Sequence, residues 1–266
     1  MRSRIPSSAI LVLLVLTSVF LLARGLPLPT TESGGRGRMT AFPRIVLWAW
    51  ERPNDLSFPE ARGIGVAFLA VTVSLAGDTI TIRPRLQPLA VLRQSPLVAV
   101  ARVETDRNRR PQFTDGQLHR AASTIARLGF TPGIAGVQID FDAQASERRF
   151  YGDLLREVRQ ALPPAMALSI TALASWCMED GWVGGLPVDE AVPMLYRMGP
   201  DARDILSRLD KGKDFANDLC RRSVGVSLDE QIPMLPKGRR LYVFTPGSWS
   251  RKSVARALVE LRRGGM

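Results

Sequence analysis

The chain has 266 residues, 45% of them hydrophobic and 23% charged, a balance that excludes a disordered or fibrous polymer and allows one large domain or two small ones. Its formal charge of +11 comes from 36 basic and 25 acidic residues, and all but four of the basic ones are arginine. These arginines are scattered, without the aromatic-interleaved basic stripe of a nucleic-acid reader, which excludes nucleic acid and leaves an acidic glycan or an anionic membrane surface to use the charge.

At the amino terminus, Arg2 and Arg4 precede an apolar stretch from Ala9 to Ala23. This order matches a secretory signal, and the stretch is short for a membrane-spanning helix of ~20 residues. No small-x-small cleavage site stands out near Ala23-Arg24-Gly25, so residues 1–25 are expected to be a signal peptide or an uncleaved anchor tethering the protein through residues 9–23. With no cysteine nearby, lipid attachment is not expected. Residues 26–43, which include ESGGRGR, are expected to be a linker, although a start at Met39 would remove the argument for export. The expected location is the periplasm, free or anchored in the inner membrane.

Eight strand candidates follow: RIVLWAW (44–50), GVAFLAVTVSL (65–75), PLVAVARVE (96–104), IAGVQIDFD (134–142), MALSITALASW (166–176), EAVPMLYRM (190–198), RSVGVSLDE (222–230) and RLYVFTP (240–246). The segment after the second reads as an extra hairpin arm with a short or degraded helix. A helix is expected from Thr114, where Gln117 completes a capping box and Leu118, Ala121, Ala122, Ile125 and Leu128 fall at helical spacing. Others are expected near 146–162, over 201–209 and after Ser250. Strands alternating with helices predict an α/β fold, a small (β/α)8 barrel over residues 44–266. A doubly wound sheet would need a Gly-rich phosphate turn, and none is present.

Two cysteines fit neither a disulfide scaffold nor a zinc site, and His119 is the only histidine. Cys177 follows the fifth strand at its carboxyl end and Cys220 precedes the seventh at its amino end. Strand length puts these ends ~20 Å apart, and a disulfide needs Cα atoms within about 7 Å. The cysteines are therefore expected to stay unpaired.

The stretch GVQIDFDA (136–143) carries the chemistry. In a barrel strand Val137, Ile139 and Phe141 suit the helix layer, which leaves Gln138, Asp140 and Asp142 facing inward, with Asp142 at the carboxyl end where barrel enzymes work. Other strand ends bring Trp48, Trp50, Arg102, Glu104, Trp176, Tyr196, Arg197 and Asp229 to the same rim. Glycoside chemistry needs a proton-donating carboxyl beside the leaving oxygen and a second carboxylate or substrate group opposite. Asp142 is the candidate acid, Asp140 its partner, and Gln138, Trp48, Glu104, Trp176, Tyr196, Arg197 and Asp229 the candidate substrate contacts. No metal or cofactor is expected, and the one hard-oxygen set on offer is Asp140, Asp142 and Asp229. A purely structural alternative pairs Asp140 with Arg102, or Glu104 with Arg197.

GVQIDFDA, an apolar strand ending in Ser-Trp, VPMLYRMG and VGVSLDE together resemble a bacterial family known as domain of unknown function 3142, over most of residues 44–250. That family has no settled activity. GVQIDFDA is also similar to the D-G-x-D-x-D-x-E motif of chitinase-like family 18 glycoside hydrolases. Gly136 matches the glycine, Asp140 the last aspartate and Asp142 the glutamate, while Ala135 and Gln138 replace the first two acids. This resemblance implies proton donation by Asp142 and orientation of a substrate acetamido group by Asp140. The expected function is therefore an exported glycoside hydrolase-like barrel acting on an envelope or extracellular polysaccharide. The alternative is a catalytically silent barrel that binds glycan or a partner protein with the same rim.

Overall fold

Nine of the apolar runs and turns become strands of one sheet, and eight of those strands close on themselves. A computed structural model describes residues 37–263 except 179–180 and 235–236. The expected signal or anchor over 1–25, and the expected linker up to residue 36, lie outside the described residues. In chain order the elements are β1 (Ile45–Ala49), β2 (Asn54–Leu56), β3 (Gly65–Ala76), β4 (Thr79–Pro84), β5 (Leu89–Val91), β6 (Leu97–Thr105), α1 (Asp115–Leu128), β7 (Ile134–Asp140), α2 (Arg148–Ala161), β8 (Ala167–Leu173), α3 (Ala174–Met178), β9 (Glu190–Met194), α4 (Ala202–Asp210), β10 (Ser223–Ser227), β11 (Arg240–Phe244) and α5 (Arg251–Arg263). The parallel strands run β1, β3, β6, β7, β8, β9, β10, β11, and β1 pairs with both β3 and β11 to close the (β/α)8 barrel. Among the described residues no helix is long and apolar enough to cross a membrane.

Strand periodicity divides the apolar residues into two layers. Outward residues such as Val137, Ile139, Leu168 and Ile170 pack with Ile125 of α1 and Leu154 and Val158 of α2 in the larger core. Inward residues Val46, Trp48, Ala67, Val98, Val100, Val192 and Tyr242 form a smaller core inside the barrel. Trp48 fits there because β10 carries Gly225, where a Cβ would stand 2.9 Å from the indole ring. The Trp48 indole N–H donates to Gln138 Oε1 at 2.7 Å, and Gln138 Nε2 donates to Ser169 Oγ at 3.1 Å.

The capping box of α1 is formed, with Thr114 Oγ1 accepting from Gln117 N and Gln117 Oε1 accepting from Thr114 N. Gln117 Nε2 also donates to the carbonyls of Gly77 and Thr79, which ties the first turn of α1 to the β3–β4 hairpin. That hairpin confirms the expected arm, with β4 antiparallel to β3. No helix accompanies it. The chain instead forms β5, which pairs with β2. Five strands end two to four residues earlier than expected, β10 at Ser227 and β11 at Phe244 among them. β7 stops at Asp140, β8 gives way to α3 at Ala174, and β9 stops at Met194, three residues before Arg197 takes a left-handed φ of 51°.

At the amino-terminal end of the barrel, Glu190 is buried and takes a hydrogen bond from the Tyr242 hydroxyl at 2.7 Å and an ion pair from Arg240. Burial pushes the Glu190 carboxyl up, against the opposing pull of Arg240 and Tyr242. Residues 37–43, expected as the end of a linker, instead cover this base. Met39 is 5% exposed, Arg38 pairs with the buried Asp189 at 2.9 Å, and the Phe42 ring would lie 3.1 Å from a Cβ at Gly136.

The cysteines are joined, contrary to expectation, with Cα atoms 5.8 Å apart. The expectation placed each cysteine at the height of a strand end. However, α3 turns directly off β8 and packs against β9, and the 3-10 turn at Asp218–Arg221 that carries Cys220 packs against β9 as well. Ala216 N–H donates to the Cys177 carbonyl at 2.9 Å, which brings the two segments side by side. The cysteines thus meet beside one strand, and the axial distance between strand ends does not apply.

Two stability predictions follow from this packing. A chain beginning at residue 44 should be less stable than one beginning at residue 37 by on the order of 3 kcal/mol, since Met39 and Phe42 lose burial and Asp189 loses the nearer of its two arginines, Arg38, and keeps Arg159. Urea unfolding of the two chains measures the difference. Replacing both cysteines with serine opens a loop with a sequence separation of 43, and should cost about 4 kcal/mol by the loop-closure relation. Thermal unfolding with and without reductant should show the same difference in the unmodified chain.

Candidate functional site

Arg102 and Glu104 follow Val98 and Val100 in the inward phase of β6, and Arg102 is in register with Asp140 of β7. Arg102 Nη1 meets Asp140 Oδ2 at 2.5 Å, and the Thr171 hydroxyl donates to Asp140 Oδ1 at 2.7 Å. Both oxygens of this buried carboxylate are therefore satisfied, as a buried charge requires. The same guanidinium reaches Glu104 Oε1 through Nε at 3.2 Å and Asp142 Oδ2 through Nη2 at 3.5 Å. A planar fork of five N–H donors makes this three-way contact possible. The Arg102 guanidinium also lies over the Trp50 ring, 5.8 Å from its centroid.

Asp142 stands two residues past the end of β7, at the tip of a three-residue turn closed by Ala143 N–H donating to the Phe141 carbonyl at 2.8 Å. Phe141 and Ala143 are buried on either side of it, while the Asp142 side chain is 46% exposed. Burial among the walls of the mouth raises the Asp142 carboxyl, the Asp140 charge adds to this, and Arg102 opposes both. Burial works against the Arg102 charge, but Asp140, Asp142 and Glu104 outweigh it and hold the guanidinium above its ordinary value.

These groups line a cavity of about 540 Å3 at the carboxyl end of the barrel. Its aromatic wall is Trp48, Trp50, Tyr196 and Phe244. Tyr196 and Phe244 stack with centroids 5.6 Å apart, and Trp48 meets Tyr196 edge-on at 6.3 Å. Burial pushes the Tyr196 phenol up, with Asp140 and Asp142 adding to the effect. Arg197 lies over Phe244 at 5.5 Å and pairs with Asp229 at 3.7 Å, while its backbone N–H donates to Glu230. Left-handed backbone is costly for a non-glycine residue, and such strain gathers at functional sites.

Of the residues expected at the site, Trp48, Glu104, Asp140, Asp142, Tyr196 and Arg197 line the cavity. Gln138 lies beneath its floor, fully buried against Trp48 and Ser169. Asp229 stands off the rim, where its hydrogen bond from Ser227 holds its carboxyl low, with Arg197 adding to this. Trp176 is displaced, because α3 turns it into the outer core against Trp182 at 5.0 Å. Trp50 and Arg102, expected at the rim but not among the candidate contacts, also line the cavity with Thr171 and Phe244, and Asp201 and Ile205 reach it from the turn before α4 and from α4 itself. Arg102 and Thr171 share the inward phase that marked Asp140, and Trp50 and Phe244 follow inward aromatics by two residues. No sequence pattern marks Asp201 and Ile205.

The set Asp140, Asp142 and Asp229 is not brought together, since Asp229 lies outside the cavity lining. Among the described residues no group of three His, Cys, Asp or Glu side chains could hold a metal ion.

A family model described as Domain of unknown function (DUF3142) matches residues 93–226, from just before β6 to within β10. The match contains Arg102, Asp140, Asp142, Thr171 and Tyr196, and leaves Trp48, Trp50 and Phe244 outside. No curated protein and no solved structure matches the chain.

Replacing Arg102 with glutamine should strand three carboxylates around one site and cost about 3 kcal/mol at pH 7, as removing one partner of a buried pair does. Loss of the cation removes what opposes burial and the Asp140 charge at Asp142, so the Asp142 carboxyl rises further in the folded state. Protons then bind more tightly to the folded than to the unfolded variant, so its deficit should shrink as pH falls toward 4. Urea unfolding of both proteins at pH 7 and pH 4.5 measures this.

Proposed function

The chain belongs to the family described as Domain of unknown function (DUF3142), a membership that assigns no chemistry, and on that premise we propose that its barrel is a glycoside hydrolase-like enzyme acting on a polysaccharide. The observation that carries this reading is a raised carboxyl, Asp142, set beside a fully satisfied carboxylate, Asp140, in a cavity walled by four aromatic rings. Aromatic faces suit the apolar faces of sugar rings, and a raised carboxyl beside a second, ion-paired carboxylate suits general acid catalysis.

In the proposed reaction Asp142 gives its proton to the glycosidic oxygen as the bond from that oxygen to the anomeric carbon breaks. Asp140, held by Arg102 and Thr171, faces the developing positive charge on the sugar. Water then adds to the anomeric carbon and its released proton restores Asp142. Glu104 is the further carboxylate on the wall, and Gln138 sets the tilt of Trp48 from below. The disulfide between Cys177 and Cys220 supports an oxidising compartment, in keeping with an exported protein whose residues 1–25 are a signal or anchor.

The hold of Arg102 on all three carboxylates favours a second reading, a silent barrel that binds glycan without cleaving it. Incubating the folded domain with a panel of polysaccharides and assaying new reducing ends separates the two. Asp142→Asn should lower turnover by about 100-fold or more, within the range of general acid catalysis, and should leave binding intact. Because Asp142 must be protonated to act and its proton affinity is raised, activity should persist above the ordinary aspartate range and fall as pH rises through the raised value. An Asp142→Asn variant with full turnover would overturn the catalytic assignment, and binding without any new reducing ends would favour the silent barrel.

A further inference from the structure

A second cavity, of about 490 Å3, adjoins the first, and Ser175, Asp201 and Ile205 line both. Asp201, Asp204, Ile205, Arg208 and Lys211 recur along it at spacings of three and four. One face of α4, extended by a residue at each end, therefore flanks the cavity from end to end, over ~15 Å at 1.5 Å per residue. Ser175 and Met178 of α3 form the opposite wall, and Cys177 between them is fixed by the disulfide. The two cavities thus form one groove, with a clamped wall, that leaves the barrel mouth along α4.

The charge along this groove is ordered. Asp201 and Asp204 lie at the end next to the mouth, and Arg208, Lys211 and Lys213 at the far end. The helix terminus produces this arrangement. Gly212 takes a left-handed φ of 75°, its N–H donates to the Leu209 carbonyl at 2.9 Å, and Lys213 N–H donates to the Arg208 carbonyl at 2.9 Å. This reversal brings Lys213 back beside the last turn of α4 instead of letting the chain run on. A helix carboxyl terminus favours a cation in its last turn, but that preference does not call for Lys213, which lies beyond the helix and still lines the cavity.

We infer that this second cavity is a subsite for an anionic polysaccharide, in which Lys211 and Lys213 hold carboxylate or phosphate groups of the sugars beyond the barrel mouth. The near end, with Asp201 and Asp204, takes sugar hydroxyl groups as hydrogen-bond donors. The inference rests on the glycan reading of the barrel mouth and adds the charge class and direction of the chain. Arg197 extends the same logic to the mouth itself, since its side chain is 60% exposed and its ion pair with Asp229 is long at 3.7 Å.

Calorimetric titration of the full folded domain with chains of two, four and six units tests this. The probes are oligogalacturonates for carboxylate, glycerol phosphate oligomers for phosphate, and chito-oligosaccharides as the neutral series. Affinity for one anionic series should rise at least tenfold from two to six units and weaken with salt. In the double variant Lys211→Gln, Lys213→Gln the six-unit affinity should fall to that of two units, with unchanged melting temperature. The anionic series that shows the length dependence identifies carboxylate or phosphate as the ligand group. Three results would overturn the subsite: equal length dependence for neutral chains, an unchanged affinity in the double variant, or no binding of either anionic series. Neutral chains cleaved in an Asp142-dependent way would leave the hydrolase reading standing without the subsite. Anionic chains bound at both cavities and never cleaved would leave the subsite standing without hydrolysis.

Discussion

The mouth of this barrel is organised by a single guanidinium. Arg102 makes the buried Asp140 tolerable, and the Thr171 hydroxyl takes up the carboxylate oxygen that Arg102 does not reach. Desolvating a carboxylate costs several kcal/mol even after relaxation, so without this arrangement β7 could not keep an acid in its inward phase. The same cation tethers Glu104 and Asp142 and rests on Trp50, so that one side chain sets the positions of three acids and one aromatic wall. Three carboxylates against one arginine leave an excess of negative charge when all are ionised, and the raised proton affinity of Asp142 answers part of that excess.

Below the mouth, the interior continues as polar groups that satisfy one another at successive heights. Gln138, Ser169 and the Trp48 indole occupy the middle, and Glu190, Tyr242 and Arg240 the base. Barrel interiors are more often filled by branched apolar side chains. Here Val46, Ala67, Val98 and Val100 supply that filling from β1, β3 and β6, while β7, β8 and β9 contribute most of the polar groups. Hydrogen-bonded interior groups have fewer acceptable arrangements than apolar ones, so they fix the rotation of Trp48 and, through it, the floor of the cavity. Gly225 contributes by its small size, since any larger residue would displace that ring.

The barrel was legible because eight apolar runs carry period-two alternation and the helices between them carry caps and a 3.6-residue period. Thr114 and Gln117 show this most directly, as the capping box read from two letters is formed in the structure. Asp140 and Glu104 were legible for the same reason, since strand phase fixes direction. Failures came where the strand phase was carried too far. Trp176 would face the mouth if β8 continued to it, but the chain has already turned into α3, a five-residue helix too short to leave a periodic signature. The cysteine distance failed for a related reason, since it treated the connections as axial extensions of strands when both pack sideways on β9. Asp201 and Ile205 were invisible because their approach to the mouth depends on how a loop closes over the barrel, a tertiary outcome with no local pattern.

Closing the barrel also has a consequence for how this protein behaves among copies of itself. A closed ring of strands offers no open backbone edge, but β4 is appended outside the ring, paired with β3 on one side and with no other strand among the described residues on its outer edge. Such an edge is a template for pairing with another chain. The exposed residues of this ribbon are Thr79, Thr81, Ile82, Arg83 and Pro84. Proline removes a backbone donor at its end, and Arg83 carries a charge held outward by Glu51 at 2.6 Å. The colloidal behaviour of the main sheet is therefore concentrated in six residues far in sequence from the carboxylates, and substitutions there can alter self-association while leaving the mouth chemically intact.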